Sequence, residues 1–115
     1  MKQISILFLL FSFVTTVAQE QGPRYEKFGD LVKATYFYED GSIKEQGFFK
    51  DKKLTGQWIR FDQNGNKTMI AHYQAGKKVG KWFSWTGDIL KEINFEGNAI
   101  VSVRKWTKDS ELAIN

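Results

Sequence analysis

His72 is the one histidine of the chain and the first place to look for proton-transfer chemistry. It stands beside Tyr73 in a stretch that reads as a strand, and the expected pairing sets Gln57 against it. No carboxylate or serine comes near by the same pairing, which fits a half-exposed sheet histidine better than a general base. Asp62-Gln-Asn64-Gly-Asn66 has the alternating oxygen donors that open a calcium loop. Lys67 then stands where such loops need glycine, and Tyr73 where they need a bidentate glutamate. Hairpin turn chemistry accounts for the same residues. Glu39 and Asp40 are adjacent and diverge, which is unsuited to acid–base work across a substrate. The chain has no cysteine, no nucleophile motif, no phosphate-binding glycine loop and no cysteine–histidine metal set. Its residues therefore point to no catalytic group, no cofactor and no metal.

The constellation that rises above this background is cationic. Lys50, Lys52, Lys53, Lys77, Lys78 and Lys81 flank two turn signals, and Trp58, Tyr73 and Trp82 stand close by in sequence. In a meander alternate turns fall at the same end of the sheet, so these lysines are expected at one end, and Glu39, Asp40, Asp62 and Asp88 at the other. Such a basic rim with aromatic neighbours suits an acidic protein, an envelope component or anionic lipid headgroups. The opposing reading is that the lysines keep hairpin tips soluble and discourage edge pairing. The formal net charge of +4 on 115 residues is mild and implies no nucleic-acid partner.

The elements that position these residues come from a repeat. Phe37-Tyr-Glu-Asp-Gly41 through Phe49 to Gly56-Gln-Trp58 recurs 24 residues later as Phe61-Asp-Gln-Asn-Gly65 through Tyr73 to Gly80-Lys-Trp82. Asp40-Gly41 and Asn64-Gly65 are strong hairpin signals and predict type I′ turns. Thr86-Gly87, Ala75-Gly76 and Gly97-Asn98 are weaker signals, and Asp51-Lys52 is the weakest. Seven strands follow, over 33–38, 43–50, 53–61, 67–74, 77–85, 88–96 and 99–106. The fold class is all-β: an antiparallel meander of repeated β-hairpins forming an elongated, largely single-layer twisted sheet.

Two-residue turns set the expected register. Gly47 falls opposite Gly56, and Ala71 opposite Gly80, leaving room for the rings of Trp58 and Trp82 to lie across the small pairs. The third unit is imperfect, with Ile93 expected to face Ser102 and Trp106 out of step with Trp82, and it reads as a cap. Apolar residues fall on both faces. Phe49, Trp58, Met69, Tyr73 and Trp82 share one parity; Ile59, Phe61, Ile70, Phe83, Trp85 and Leu90 share the other. A sheet with one wet face alternates more cleanly, so either large rings half cover both faces or one face docks on something else.

The ends differ from the repeats. Residues 1–18 carry Lys2, an apolar run from Ile4 to Val14 and small residues up to Ala18, the marks of a secretory signal peptide cut near Ala18. The run is shorter than the ~20 apolar residues of a spanning helix. The expected product is a bacterial periplasmic or secreted protein, and without cysteine it is not lipid-anchored. Residues 19–32, with Gly22-Pro23, read as a lead-in, and the stretch from Gln19 to Lys27 as one with little fixed structure. Residues 33–106 form the repeat domain, and the tail 107–115 is left open between a helical turn and a frayed end.

Tyr73-Gln-Ala-Gly76-Lys-Lys-Val-Gly80-Lys-Trp82, preceded by a Phe-Asp-x-Asn-Gly turn, resembles the bacterial variant of the MORN repeat. The resemblance covers about residues 37–98. It is weaker in the first unit, where Lys52 replaces the turn glycine. It implies a row of β-hairpins and a non-enzymatic role as a binding or scaffold module, with protein or envelope partners. Some bacterial members are labelled antitoxins, which sits badly with a signal peptide. The other readings are a self-assembling structural module and a small glycan-processing hydrolase; the latter needs a converging carboxylate pair that the expected register does not supply.

Overall fold

The computed structural model describes residues 22–107 and, for the backbone alone, the strand 110–114. The stretch assigned to a signal peptide lies outside the described residues. Ten strands build one antiparallel sheet: β1 (Arg24–Phe28), β2 (Leu31–Phe37), β3 (Ile43–Lys50), β4 (Lys53–Phe61), β5 (Lys67–Gln74), the two-residue β6 (Lys77–Lys78), β7 (Gly80–Thr86), β8 (Ile89–Glu96), β9 (Ala99–Thr107) and β10 (Ser110–Ile114). Each strand pairs with its neighbours in sequence, β6 and β7 both pairing with β5. The expected meander is present. A lone hairpin is marginal in water, and stacking hairpins edge to edge supplies what each lacks.

Two boundaries differ from the sequence expectation. The lead-in holds β1, whose Arg24 to Phe28 pair in register with Thr35 to Leu31. The tail holds β10, which pairs with β9 and is neither helical nor frayed.

The turns also correct the sequence reading. At Asp40-Gly41 and Asn64-Gly65 only the glycines have positive φ, 87° and 84°. The Gly41 N–H donates to the Tyr38 carbonyl at 3.0 Å and the Gly65 N–H to the Asp62 carbonyl at 3.1 Å. These are three-residue loops, a type I turn followed by a left-handed glycine, and not two-residue type I′ turns. The type I′ geometry appears instead at the weakest signal: Asp51 and Lys52 have φ of 49° and 65°. Ala75-Gly76 and Gly97-Asn98 share it, with both residues at positive φ. The turn expected at Thr86-Gly87 is centred one residue later, on Gly87-Asp88, since Thr86 pairs with Ile89.

The core lies on one face. Ala34, Trp58, Ala71, Trp82 and Phe95 are buried there, with Tyr36, Phe49, Leu54, Met69, Tyr73 and Ile93 packed against them. The rings form a row across the strands: centroids are 6.4 Å apart for Tyr36–Trp58, 6.4 Å for Trp58–Tyr73, 5.1 Å for Tyr73–Trp82 and 5.0 Å for Trp82–Phe95. The last three contacts are edge-on, the arrangement that aromatic quadrupoles favour. Such rings cover one another, which is how a single layer buries two tryptophans.

The opposite face carries a row that runs Thr35, Gln46, Ile59, Ile70, Phe83, Glu92 and Arg104 by strand pairing. Most of these side chains are half-buried. Of the two faces that carry apolar residues, the one with the repeat tryptophans holds the buried core.

Candidate functional site

The rim on which the lysines sit is held by the packing beneath it. In the first unit Gly56, Gln57 and Trp58 all stand opposite Gly47, because the register shifts between Gln46 and Phe48. In the second unit the pairing changes between Tyr73–Lys78 and Ile70–Phe83. There Gly80, Lys81 and Trp82 bulge opposite Ala71. Gly47 and Gly56 therefore do not form the regular one-to-one pair expected, nor do Ala71 and Gly80, and Gly47 lies beneath the Trp58 ring instead. A Cβ on Gly47 would fall inside the Trp58 indole, whereas one on Gly56 would meet nothing within 4 Å. Gly56 and Gly80 are needed for a different reason, φ of 66° and 67°, the left-handed start of a bulge.

Each bulge turns its indole N–H toward the neighbouring strand. Trp58 Nε1–H donates to the Phe48 carbonyl at 3.1 Å, and Trp82 Nε1–H to the His72 carbonyl at 3.0 Å. The third unit lacks this device: Ile93 pairs with Val103, not with Ser102 as expected, and the shift there comes between Asn94 and Phe95.

The turns at 29–30, 51–52, 75–76 and 97–98 fall along one edge of the sheet. Lys50, Lys52, Lys53, Lys77 and Lys78 are all on that edge and exposed. Neighbouring tips are tied sideways. The Gly76 N–H donates to the Leu54 carbonyl at 2.9 Å, the Asn98 N–H to the Lys78 carbonyl at 3.0 Å, and the Lys78 N–H to Asn98 Oδ1 at 2.9 Å. Lys78 Nζ lies 5.2 Å from the Trp82 ring centre and 5.3 Å from that of Phe95, so its charge rests against the aromatic row.

Lys81 is not part of this edge. It lies within β7 opposite Asn94, with its amine 3.6 Å from Glu92 Oε1 on the other face. Arg104 Nε approaches the second Glu92 oxygen at 4.0 Å, so the nearly buried carboxylate sits between two cations. The charge segregation is also less complete than expected. Asp30, Asp51 and Glu96 share the lysine edge, and Asp30 Oδ2 is 3.6 Å from Lys50 Nζ.

The aromatic members of the site have a packing role. Trp58 and Trp82 are 5% and 9% exposed. Tyr73 is half-buried between them, and burial, with the Glu45 carboxylate nearby, raises its phenol above the ordinary value of 10.0. His72 pairs with Gln57 as expected. Its Nδ1 is 2.8 Å from the Lys81 carbonyl and donates to it, anchoring the ring to the strand that carries Trp82. The Asp62 carboxylate, the first oxygen of the calcium-like run, accepts the Asn64 and Asn66 N–H groups at 2.9 and 3.0 Å. It closes its own turn.

An open cleft of ≈ 410 Å³ lies between two lysine-bearing tips, with Lys50, Lys53, Thr55 and Gln74 in its wall. A second, of ≈ 430 Å³, adjoins it at Gln74 and Ala75 and continues past Lys77 to Val79 and Glu96. Sequence reasoning found the lysines but missed Thr55, Gln74 and Asn98, whose places depend on which tips are neighbours.

A single-layer sheet of hairpins with a period of 24 residues, each bulge carrying a Gly-x-Trp, defines a β-hairpin repeat protein. The family can be given as well. Residues 32–51 and 54–75 match the model of the MORN repeat variant, so the chain carries MORN-type repeats over these stretches. The third unit lies beyond the matched residues. Comparison with curated proteins gives no match. MORN repeats are in general repeat modules that bind proteins or membranes.

Proposed function

We propose that the protein is an exported, non-catalytic binding module that engages a protein or an anionic envelope component through its lysine-bearing turn edge. The observation that carries this reading is the sideways hydrogen bonding of the tips, from Gly76 to Leu54 and from Asn98 to Lys78. Lysines that merely keep a protein soluble need no fixed spacing. These stand on a rim locked to the sheet, so little backbone order is lost when a partner meets it. The aromatic row serves that rim from beneath, with Lys78 as the link. Changing Lys52, Lys53, Lys77 and Lys78 to Glu abolishes capture of the partner from envelope extracts. Unchanged capture rejects the reading. Export is tested separately, by N-terminal sequencing of the protein recovered outside the cytoplasm; a retained Met1 rejects cleavage near Ala18.

One observation favours a second reading, self-assembly. β1 is an outermost strand of the sheet, with Tyr25 59% and Phe28 53% exposed. Arg24, Glu26 and Lys27 on the same strand oppose edge pairing. Sedimentation at high concentration decides, and a monomer rejects self-assembly.

A further inference from the structure

We infer that the lysine edge takes a linear acidic polysaccharide, with a carboxylate on every second sugar ring, laid across the strands along the two adjoining clefts. This deepens the proposed function and rests on it.

Pitch is the first ground. Successive tips on one edge are two strands apart, which places them ~10 Å from one another. The bonds between the tips keep that spacing. Lys50 and Lys53 are at one tip and Lys77 at the next, so cationic groups recur at the tip interval. An extended chain of β-linked hexoses, charged on alternate rings, offers anions at a similar interval.

Charge density is the second. Asp30, Asp51 and Glu96 are interspersed among the lysines, and Asp30 already partners Lys50. The edge retains only a sparse positive excess. Duplex DNA presents one charge per ~1.7 Å of axis, far denser than this rim neutralises, and its phosphates would meet the three carboxylates. A polymer of widely spaced carboxylates matches the rim, and its hydroxyls can donate to the same acidic side chains.

The third ground is the chemistry of the cleft walls. Thr55 and Gln74 stand between the lysines, offering neutral donors and acceptors for hydroxyl groups. Val79, beside the buried Phe95, supplies apolar surface in the adjoining cleft for the C–H faces of the rings. Alternating cation, neutral polar and apolar groups along one open track fit a sugar chain better than a lipid surface, which is planar and meets protruding tips rather than the clefts between them.

The test is calorimetric titration of the full chain with a hyaluronan tetrasaccharide, with neutral cellotetraose, with a single-stranded oligonucleotide and with phosphatidylglycerol vesicles. The inference expects binding of the acidic tetrasaccharide alone. The variant Lys53→Glu/Lys77→Glu should weaken it about tenfold, while Lys44→Glu/Lys67→Glu, away from this edge, leaves it unchanged. Equal binding of cellotetraose overturns the inference. So does lysine-dependent binding of oligonucleotide or vesicles without the tetrasaccharide, an outcome that leaves the anion-binding edge standing. If none of the three anionic probes responds to the lysine variant and partner capture also survives it, both readings fall. An unchanged thermal midpoint of each variant shows that the comparison is between folded proteins.

Discussion

The indole of Trp82 donates to the carbonyl of His72 at 3.0 Å, and the same carbonyl accepts the Val79 N–H at 3.0 Å. One backbone oxygen thus closes the ladder before the bulge and holds the ring that covers it. The equivalent bond from Trp58 to Phe48 lies 24 residues earlier. The tryptophan of the repeat is therefore both a packing residue and a pin across the bulge.

Replacing Trp82 with Phe removes the pin but keeps a ring. The His72 carbonyl retains its bond from Val79, so no bare acceptor is left, and the loss is one hydrogen bond plus the smaller ring's contacts. The expected cost is about 1–2 kcal/mol, measured by urea unfolding. Trp82→Ala should cost ~3–5 kcal/mol. A Trp82→Phe variant as stable as the wild type would show that the N–H contributes nothing, and equal costs for the two variants would show that the ring adds nothing beyond it.

The glycines of the unit should respond differently to alanine. Gly47→Ala drives a methyl group into the Trp58 ring, and overpacking of this kind costs about 1–3 kcal/mol or more. Gly80→Ala meets only the His72 Cβ at 4.0 Å, so its cost is the left-handed backbone, about 1–2 kcal/mol. Trp58→Leu separates the two mechanisms. In that background the Gly47→Ala penalty shrinks, because its obstacle is gone, while that of Gly80→Ala does not.

Lys52 is held at φ 65° without being glycine. Lys52→Gly removes that strain and adds unfolded-chain entropy, so the net gain is ~0.5–1 kcal/mol, seen as a higher thermal midpoint. A drop in midpoint for Lys52→Gly would show that the lysine side chain stabilises the tip by more than its backbone costs.

Alkaline stability should depend on Tyr73. Burial, then the Glu45 carboxylate, raises its phenol above the ordinary value of 10.0. A group whose pKa is raised on folding contributes stability that is fully present below the unfolded value and is lost as pH rises through the folded one. Unfolding midpoints should hold up to about pH 10 and fall above it, with a shallower fall in Tyr73→Phe. Tyr36, also raised chiefly by burial, adds to the same limb. An identical alkaline fall in wild type and Tyr73→Phe would assign it to other groups.

Much of the fold was legible in the residues. The strands from 43–50 to 67–74 fall at the positions the sequence predicts, because side-chain alternation and turn glycines act within a few residues of chain. The pairing of His72 with Gln57 followed from counting outward from a turn. The bulges were not legible by that count, because a two-residue turn predicts regular pairing for as long as nothing interrupts it. What interrupts it is the indole N–H reaching an acceptor on the next strand, a contact across ten residues.

The site divides in the same way. The sequence by itself determined the hairpin repeat, the tryptophan and glycine spacing, and the gathering of Lys50, Lys52, Lys53, Lys77 and Lys78 at alternate turns, since each depends on local backbone geometry and strand parity. Only the tertiary structure decided that Lys81 leaves the edge for Glu92, that Asp30 comes to Lys50 through the pairing of β2 with β3, and that Asn98 reaches back to Lys78. Those outcomes depend on which strands become neighbours, and that is set by the burial of the aromatic row across the whole sheet.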